Sequence, residues 1–261
     1  MTVWLFGDSV FRGAALAKFP DLYSAEEAAA EPLWPLRSPA RVMNILLGEM
    51  VVRLGGNTGL PDRVEKCALK LEARIAQGGV AHGDQVVMLD IGRHFEDPDR
   101  HEAAWRRLRA AARPARVILC EAFGAGARGR REAQHDALYG ARSHNDALKA
   151  AALAPGEDAA AWLPLAAAIA DFHETLGRCW SLSAFQKDEA HVTQWGQMRL
   201  AALIAQAAFP GRPLDGPRLA ALAARLWRPL GAPDPASAAE IAALAVAPAP
   251  LSPPAPAGPP A

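Results

Sequence analysis

Short, unbroken apolar runs alternate along this chain with longer stretches in which apolar residues recur every three or four positions. Thr2 to Phe6, Met50 to Leu54, Gln85 to Ile91 and Arg116 to Cys120 have strand length and are rich in β-branched or aromatic residues. They are too apolar for a sheet with one wet face, and read as strands buried on both sides. Between them, Val64, Ala68, Leu71 and Ile75 mark one face of a helix that opens near Pro61 and ends at Gly78-Gly79. A charged helix over Pro98 to Ala112 turns Trp105 and Leu108 inward. Further helices are predicted over Gln134 to Leu153, Ala166 to Leu176 and Thr193 to Ala208, with shorter helical patches at Ala25 to Ala30 and Met43 to Leu47. Trp162-Leu163-Pro164-Leu165 reads as a short fifth strand. The alternation predicts an α/β fold, with a parallel sheet of about five strands and helices on both faces.

Punctuation and composition divide the chain. Glu31 to Pro39, with three prolines and Trp34, reads as a surface insertion. Strand two stops at Gly55-Gly56-Asn57-Thr58-Gly59, a turn chemistry that suits close backbone approach. The composition shifts at Pro210, so residues 1–209 are expected to form the main domain and 210–246 a helical extension. Residues 247–261, a Pro/Ala run, lack the apolar content to bury a core and are expected to be a disordered tail.

Charge excludes some partners. Lys plus Arg and Asp plus Glu are both 28, a zero balance that argues against nucleic acid or an anionic membrane surface. No apolar run is long enough to span a bilayer, and no leader pattern precedes Gly7. Cys67, Cys120 and Cys179 have no CxxC spacing and read as reduced, buried small hydrophobes. The expected location is cytoplasmic.

Two fragments carry candidate chemistry. Gly7-Asp8-Ser9 follows the first strand directly, where a tight turn would expose a serine hydroxyl at a strand's carboxyl end. Asp188-Glu189-Ala190-His191 precedes the helix at Thr193; an acid and an imidazole at that spacing can meet, fixing the ring tautomer and freeing the other nitrogen to accept a proton. Each fragment also has an ordinary structural reading, as a turn and as a helix cap. Asp90, His94, Glu96, Asp97, Asp99 and His101 are dense enough to suggest a metal, yet match no zinc spacing, so no metal is expected. His82, His135, His144 and His173 have no partner at a telling spacing, and Asn145 reads as a cap. The Gly-x-Ser-x-Gly elbow of α/β-hydrolases is absent, because Phe11 stands at its second glycine.

Taken together, Gly7-Asp8-Ser9 and Asp188-x-x-His191-x-Thr193-x-x-Gly196 resemble the first and last blocks of the GDSL esterases, or SGNH hydrolases. The resemblance covers residues 1 to 208 in block order. It implies a flavodoxin-like three-layer α/β/α sandwich and ester hydrolysis through a serine acyl-enzyme, without a cofactor. Ser9 would then be the nucleophile, His191 the general base and then acid, and Asp188 the orienting carboxylate. The oxyanion hole would comprise the backbone N–H of Ser9, that of Gly56, and the third block's side chain. There the family's Gly-x-Asn is replaced by Gly92-Arg93-His94, so His94 would have to donate in place of asparagine. The resemblance implies a small-molecule or carbohydrate ester as partner, with a short acyl chain such as acetyl. Acyl transfer and non-catalytic glycan binding are the alternatives.

Overall fold

The computed structural model describes residues 1–7, 36, 38–48, 51–56, 61–89, 98–113, 115–122, 144–155, 160–185 and 192–248. Five strands, β1 (Thr2–Gly7), β2 (Val51–Gly56), β3 (Gln85–Leu89), β4 (Arg116–Cys120) and β5 (Ala160–Leu163), form one sheet in the order β2-β1-β3-β4-β5. Every pairing is parallel. Among the described residues the helices, in chain order, are α1 (Pro39–Leu47), α2 (Pro61–Ala76), α3 (Pro98–Ala111), α4 (His144–Leu153), α5 (Ala166–Trp180), α6 (Gln194–Ala208), α7 (Gly216–Arg225), α8 (Trp227–Leu230) and α9 (Pro235–Val246).

The two-residue period of the strands sorts their side chains into two cores. Trp4, Phe6, Val86, Met88, Val117 and Leu119 pack with the apolar faces of α2, α3 and α4. Val3, Leu5, Val87, Leu89, Ile118 and Cys120 face α1, α5 and α6 on the other side. This explains why β1, β3 and β4 read as continuous apolar runs: their apolar residues find helices on both faces of the sheet.

The second face is two helices deep. α6 is buried almost all round, because α1 and α9 pack along it and α7 packs in turn against both of them. Residues 216–246 are therefore built into the same hydrophobic cluster as strands β1, β3 and β4. Burying α6 also buries Arg199, whose Nη1 donates to the carbonyls of Ala245 (3.1 Å) and Ala247 (2.6 Å) at the end of α9. Burial lowers the pKa of that guanidinium, and the charge of Asp171 opposes the shift. Arg109 does the same work on the opposite face, donating to Ala151 and Ala154 at the end of α4. Both use a cation to satisfy carbonyls that a helix terminus leaves unpaired.

Several boundaries differ from expectation for visible reasons. α1 begins at Pro39, not Met43, because Ser38 accepts the Arg41 N–H and Pro39 occupies the first turn. Leu36 and Ser38 are buried, so this end of the Glu31 to Pro39 stretch is core and not surface insertion. β2 continues through Gly55 and Gly56; the register passes from Leu5 opposite Leu54 to Phe6 opposite Gly56, which leaves Gly55 as the extra residue of a bulge. α5 runs on to Trp180 and closes at Ser181, whose φ of 56° is left-handed. Cys67 and Cys120 are buried as expected, whereas Cys179 lies exposed on α5. Trp34, the patch at Ala25 to Ala30 and residues 249–261 of the tail lie outside the described residues. Among the described residues no helix is long and apolar enough to cross a membrane.

Candidate active site

Parallel pairing aligns the strands' carboxyl ends. Gly7, the last residue of β1, is opposite Leu89, the last of β3, while Phe6 is opposite Gly56, the last of β2. The chain leaves β1 for β2 on one side and returns past β1 to β3 on the other. β1 and β3 therefore flank the point where strand order reverses, and open α/β sheets place ligands in the crevice outside the carboxyl ends there. Gly56, the predicted oxyanion glycine, stands at this edge as the end of β2.

Ser9, His94, Asp188 and His191 lie outside the described residues, as do Asp90, Glu96 and Asp97. Their described flanks are informative. Gly7 is two residues before Ser9, Leu89 five before His94, Phe185 three before Asp188, and Val192 directly follows His191. The first two flanks are register partners.

The last two are paired as well. Phe185 and Val192 form an antiparallel bridge, so both ends of segment 186–191 are held together. Thr193 reinforces the base: its N–H donates to the Ala184 carbonyl (3.0 Å) and its Oγ1 donates to the Ser183 carbonyl (2.7 Å). The same Oγ1 accepts the Gly196 N–H at 3.4 Å, capping α6. Gly196 is required by space: a Cβ there would collide with the Ala184 carbonyl oxygen and lie 2.8 Å from the Val192 Cβ. Thr193 and Gly196 thus have structural duties in fastening the segment that carries Asp188 and His191.

The direction of α6 fixes which edge this segment serves. Arg116 opens β4, and its Nη1 donates to the carbonyl of Ala207 at the far end of α6 (3.4 Å). After α6, Asp215 donates its N–H to the Leu46 carbonyl and Arg212 donates to that of Leu47, beside the end of α1 that feeds β2. The helix therefore ends at the amino edge. Its fifteen residues rise about 22 Å, more than the roughly 17 Å of a five-residue strand, so Thr193 opens it toward the carboxyl edge.

Other polar groups at this edge are already engaged. Glu121 follows β4, and its Oε2 accepts the N–H groups of Leu165 and Ala166, both at 2.8 Å, at the start of α5. Leu165 provides no side-chain cap there, so the carboxylate from the neighbouring strand supplies one. Asn145 accepts the Ala122 N–H (2.9 Å) and donates to the Ala122 carbonyl (3.3 Å). It clamps the exit of β4 and does not cap its own helix, contrary to expectation. Burial pushes the Cys120 thiol far above its ordinary pKa, which leaves it protonated and poorly nucleophilic. Among the described residues no group of three His, Cys, Asp or Glu side chains could hold a metal ion.

His173 was not legible as a site-supporting residue. On α5, its Nδ1 accepts the Ala184 N–H at 3.2 Å, at the base of segment 186–191. No local spacing signals that contact, because it joins a helix to a turn residue eleven positions on.

No family model matches the chain, and no curated protein matches it either.

Proposed function

We propose that this protein is a serine esterase of the SGNH type, with a flavodoxin-like sandwich and a site at the carboxyl ends of β1, β2 and β3. The observation that carries the reading is the registration of Gly7 with Leu89 and of Phe6 with Gly56 at the strand-order reversal. Three segments distant in sequence, each bearing one predicted element of the site, leave the sheet side by side. The fourth segment leaves from the bridge at Phe185 and Val192, ahead of a helix that opens toward the same edge. The order 2-1-3-4-5 is the flavodoxin-like one.

In this reading Ser9 attacks the ester carbonyl and His191 takes its proton, then returns it to the leaving alcohol. Asp188 orients the imidazole and stabilises its charged form. The N–H groups of Ser9 and Gly56, with a ring N–H of His94, receive the negative charge that develops on the carbonyl oxygen. Water then attacks the acyl-enzyme, with His191 again as base. The substrate class is a short-chain ester, acetyl foremost, on a carbohydrate or other small molecule; transfer to a sugar hydroxyl in place of water uses the same steps.

The test is turnover of p-nitrophenyl acetate and a panel of acetylated sugars, with fluorophosphonate labelling, by wild type and Ser9→Ala. Labelling and turnover by wild type, both abolished in Ser9→Ala, are the expected result. A correctly folded wild type that neither labels nor turns over would replace the esterase with a glycan-binding or scaffold protein, the reading that the His94 substitution favours.

A further inference from the structure

We propose that His173 is a positioning residue whose imidazole fixes the turn from which segment 186–191 departs, an inference that rests on the esterase reading for its catalytic consequence. Three neighbouring residues of one turn meet the ring. Its Nδ1 accepts the Ala184 N–H at 3.2 Å, and Ser183 Oγ approaches the same nitrogen at 3.4 Å. The ring stands edge-on to Phe185, with centroids 5.3 Å apart and planes at 71°.

These contacts sit at the root of the bridge. Ser183 Oγ donates to the Phe185 carbonyl (2.7 Å) and accepts the Phe185 N–H (3.0 Å), so Ser183, Ala184 and Phe185 form one locked turn. The turn is tied to α5 by His173 and to α6 by Thr193. A lone pair at Nδ1 is what accepts the amide, so the neutral ring carries its proton on Nε2. Covering the core at this position requires only an apolar side chain; accepting a backbone amide three bonds from Cα requires an acceptor such as the ring nitrogen of His or the side-chain oxygen of Asn or Asp. His173 therefore sets where Phe185 enters the bridge, and Phe185 is the residue from which the segment bearing Asp188 and His191 departs. A displacement of about 1 Å in such a group costs on the order of a hundredfold in rate.

The full chain is compared with His173→Phe, which keeps an aromatic edge and removes the acceptor, and His173→Asn, whose Oδ1 lies the same three bonds from Cα. Imidazole nitrogen NMR of wild type should show His173 as the Nε2–H tautomer. His173→Phe should speed amide hydrogen exchange at Ala184 and Phe185 and lower kcat on p-nitrophenyl acetate about tenfold to a hundredfold, with KM near wild type. His173→Asn should restore both. An Nδ1–H tautomer, unchanged exchange in His173→Phe, or a His173→Asn protein as impaired as His173→Phe would overturn the proposal. If His173→Phe fails to fold, the tautomer and the Asn variant decide it. Absence of Ser9-dependent turnover in wild type would overturn the esterase reading alone, since exchange and tautomer report the clasp without catalysis.

Discussion

The amino and carboxyl edges of the sheet are constructed differently. At the amino edge, neighbouring strands converge on one buried carboxylate. Asp84 accepts the N–H groups of Thr2 (2.7 Å) and Ala81 (3.1 Å), and its carbonyl accepts that of Arg116. Asn44 receives the Val52 N–H, while Arg212 and Arg116 satisfy the last carbonyls of α1 and α6. Each of these polar groups is spent on holding backbone. At the carboxyl edge, Glu121 and Asn145 brace the β4 exit. The exits of β1, β2 and β3 lead instead into the segments with the predicted nucleophile and oxyanion donors. In the proposed esterase one sheet separates the two tasks by edge: side chains stabilise at one end, and the chain exits at the other would carry the chemistry.

The largest effect that sharpens this contrast lies at the carboxyl edge. His94→Ala should cut ester turnover about a hundredfold to a thousandfold, the usual cost of one oxyanion donor, with Tm near wild type. His94→Asn should retain activity, and a fully active His94→Ala enzyme would remove His94 from the oxyanion hole.

Asp84→Ala, at the amino edge, should do the reverse. Two backbone donors lose a buried partner, which costs about 2–4 kcal/mol of unfolding free energy in urea titrations. Activity per folded molecule should be unchanged; a fall in kcat without a loss of stability would break the comparison.

Gly196→Ala tests a position where the two tasks meet. The collision with Ala184 should cost roughly 1–3 kcal/mol and lower kcat as well, because the base of segment 186–191 must move. Wild-type stability and rate together would show that the bridge relaxes freely.

The smallest effect is remote from both edges. Asp234 caps α9, and hydrogen bonds from the Ser237 backbone and hydroxyl, and from the Ala236 N–H, hold its carboxyl below the ordinary value. A depressed carboxyl stabilises the fold above the unfolded-state pKa, and that gain is lost as the pH falls through the folded-state value. Asp234→Ala should therefore lower Tm slightly at neutral pH, and the gap to wild type should close in acid. An equal gap at both pH values would assign the effect to packing.

Much of the architecture is readable locally. Val64, Ala68, Leu71 and Ile75 announce α2, and the apolar run of Val117 to Cys120 announces a doubly buried strand. The start of α1 at Ser38-Pro39 was not readable, because both residues fall in the proline-rich stretch Glu31 to Pro39. The β2 bulge was not readable: glycine has low strand propensity, and Gly55 and Gly56 are extended because β1 lies beside them. Nor was the clasp of His173 on Ala184.

The amino-acid order by itself determined the alternation of strands and helices, their approximate limits, and the spacing of Gly7-Asp8-Ser9 and Asp188-x-x-His191. These follow from side-chain period, turn residues and capping, which act over a few residues. Strand order, the alignment of Gly7 with Leu89, the direction of α6 and the partner of His173 were decided only in the tertiary structure. Those relations come from burying two faces of one sheet at once, a condition no short stretch of sequence can express.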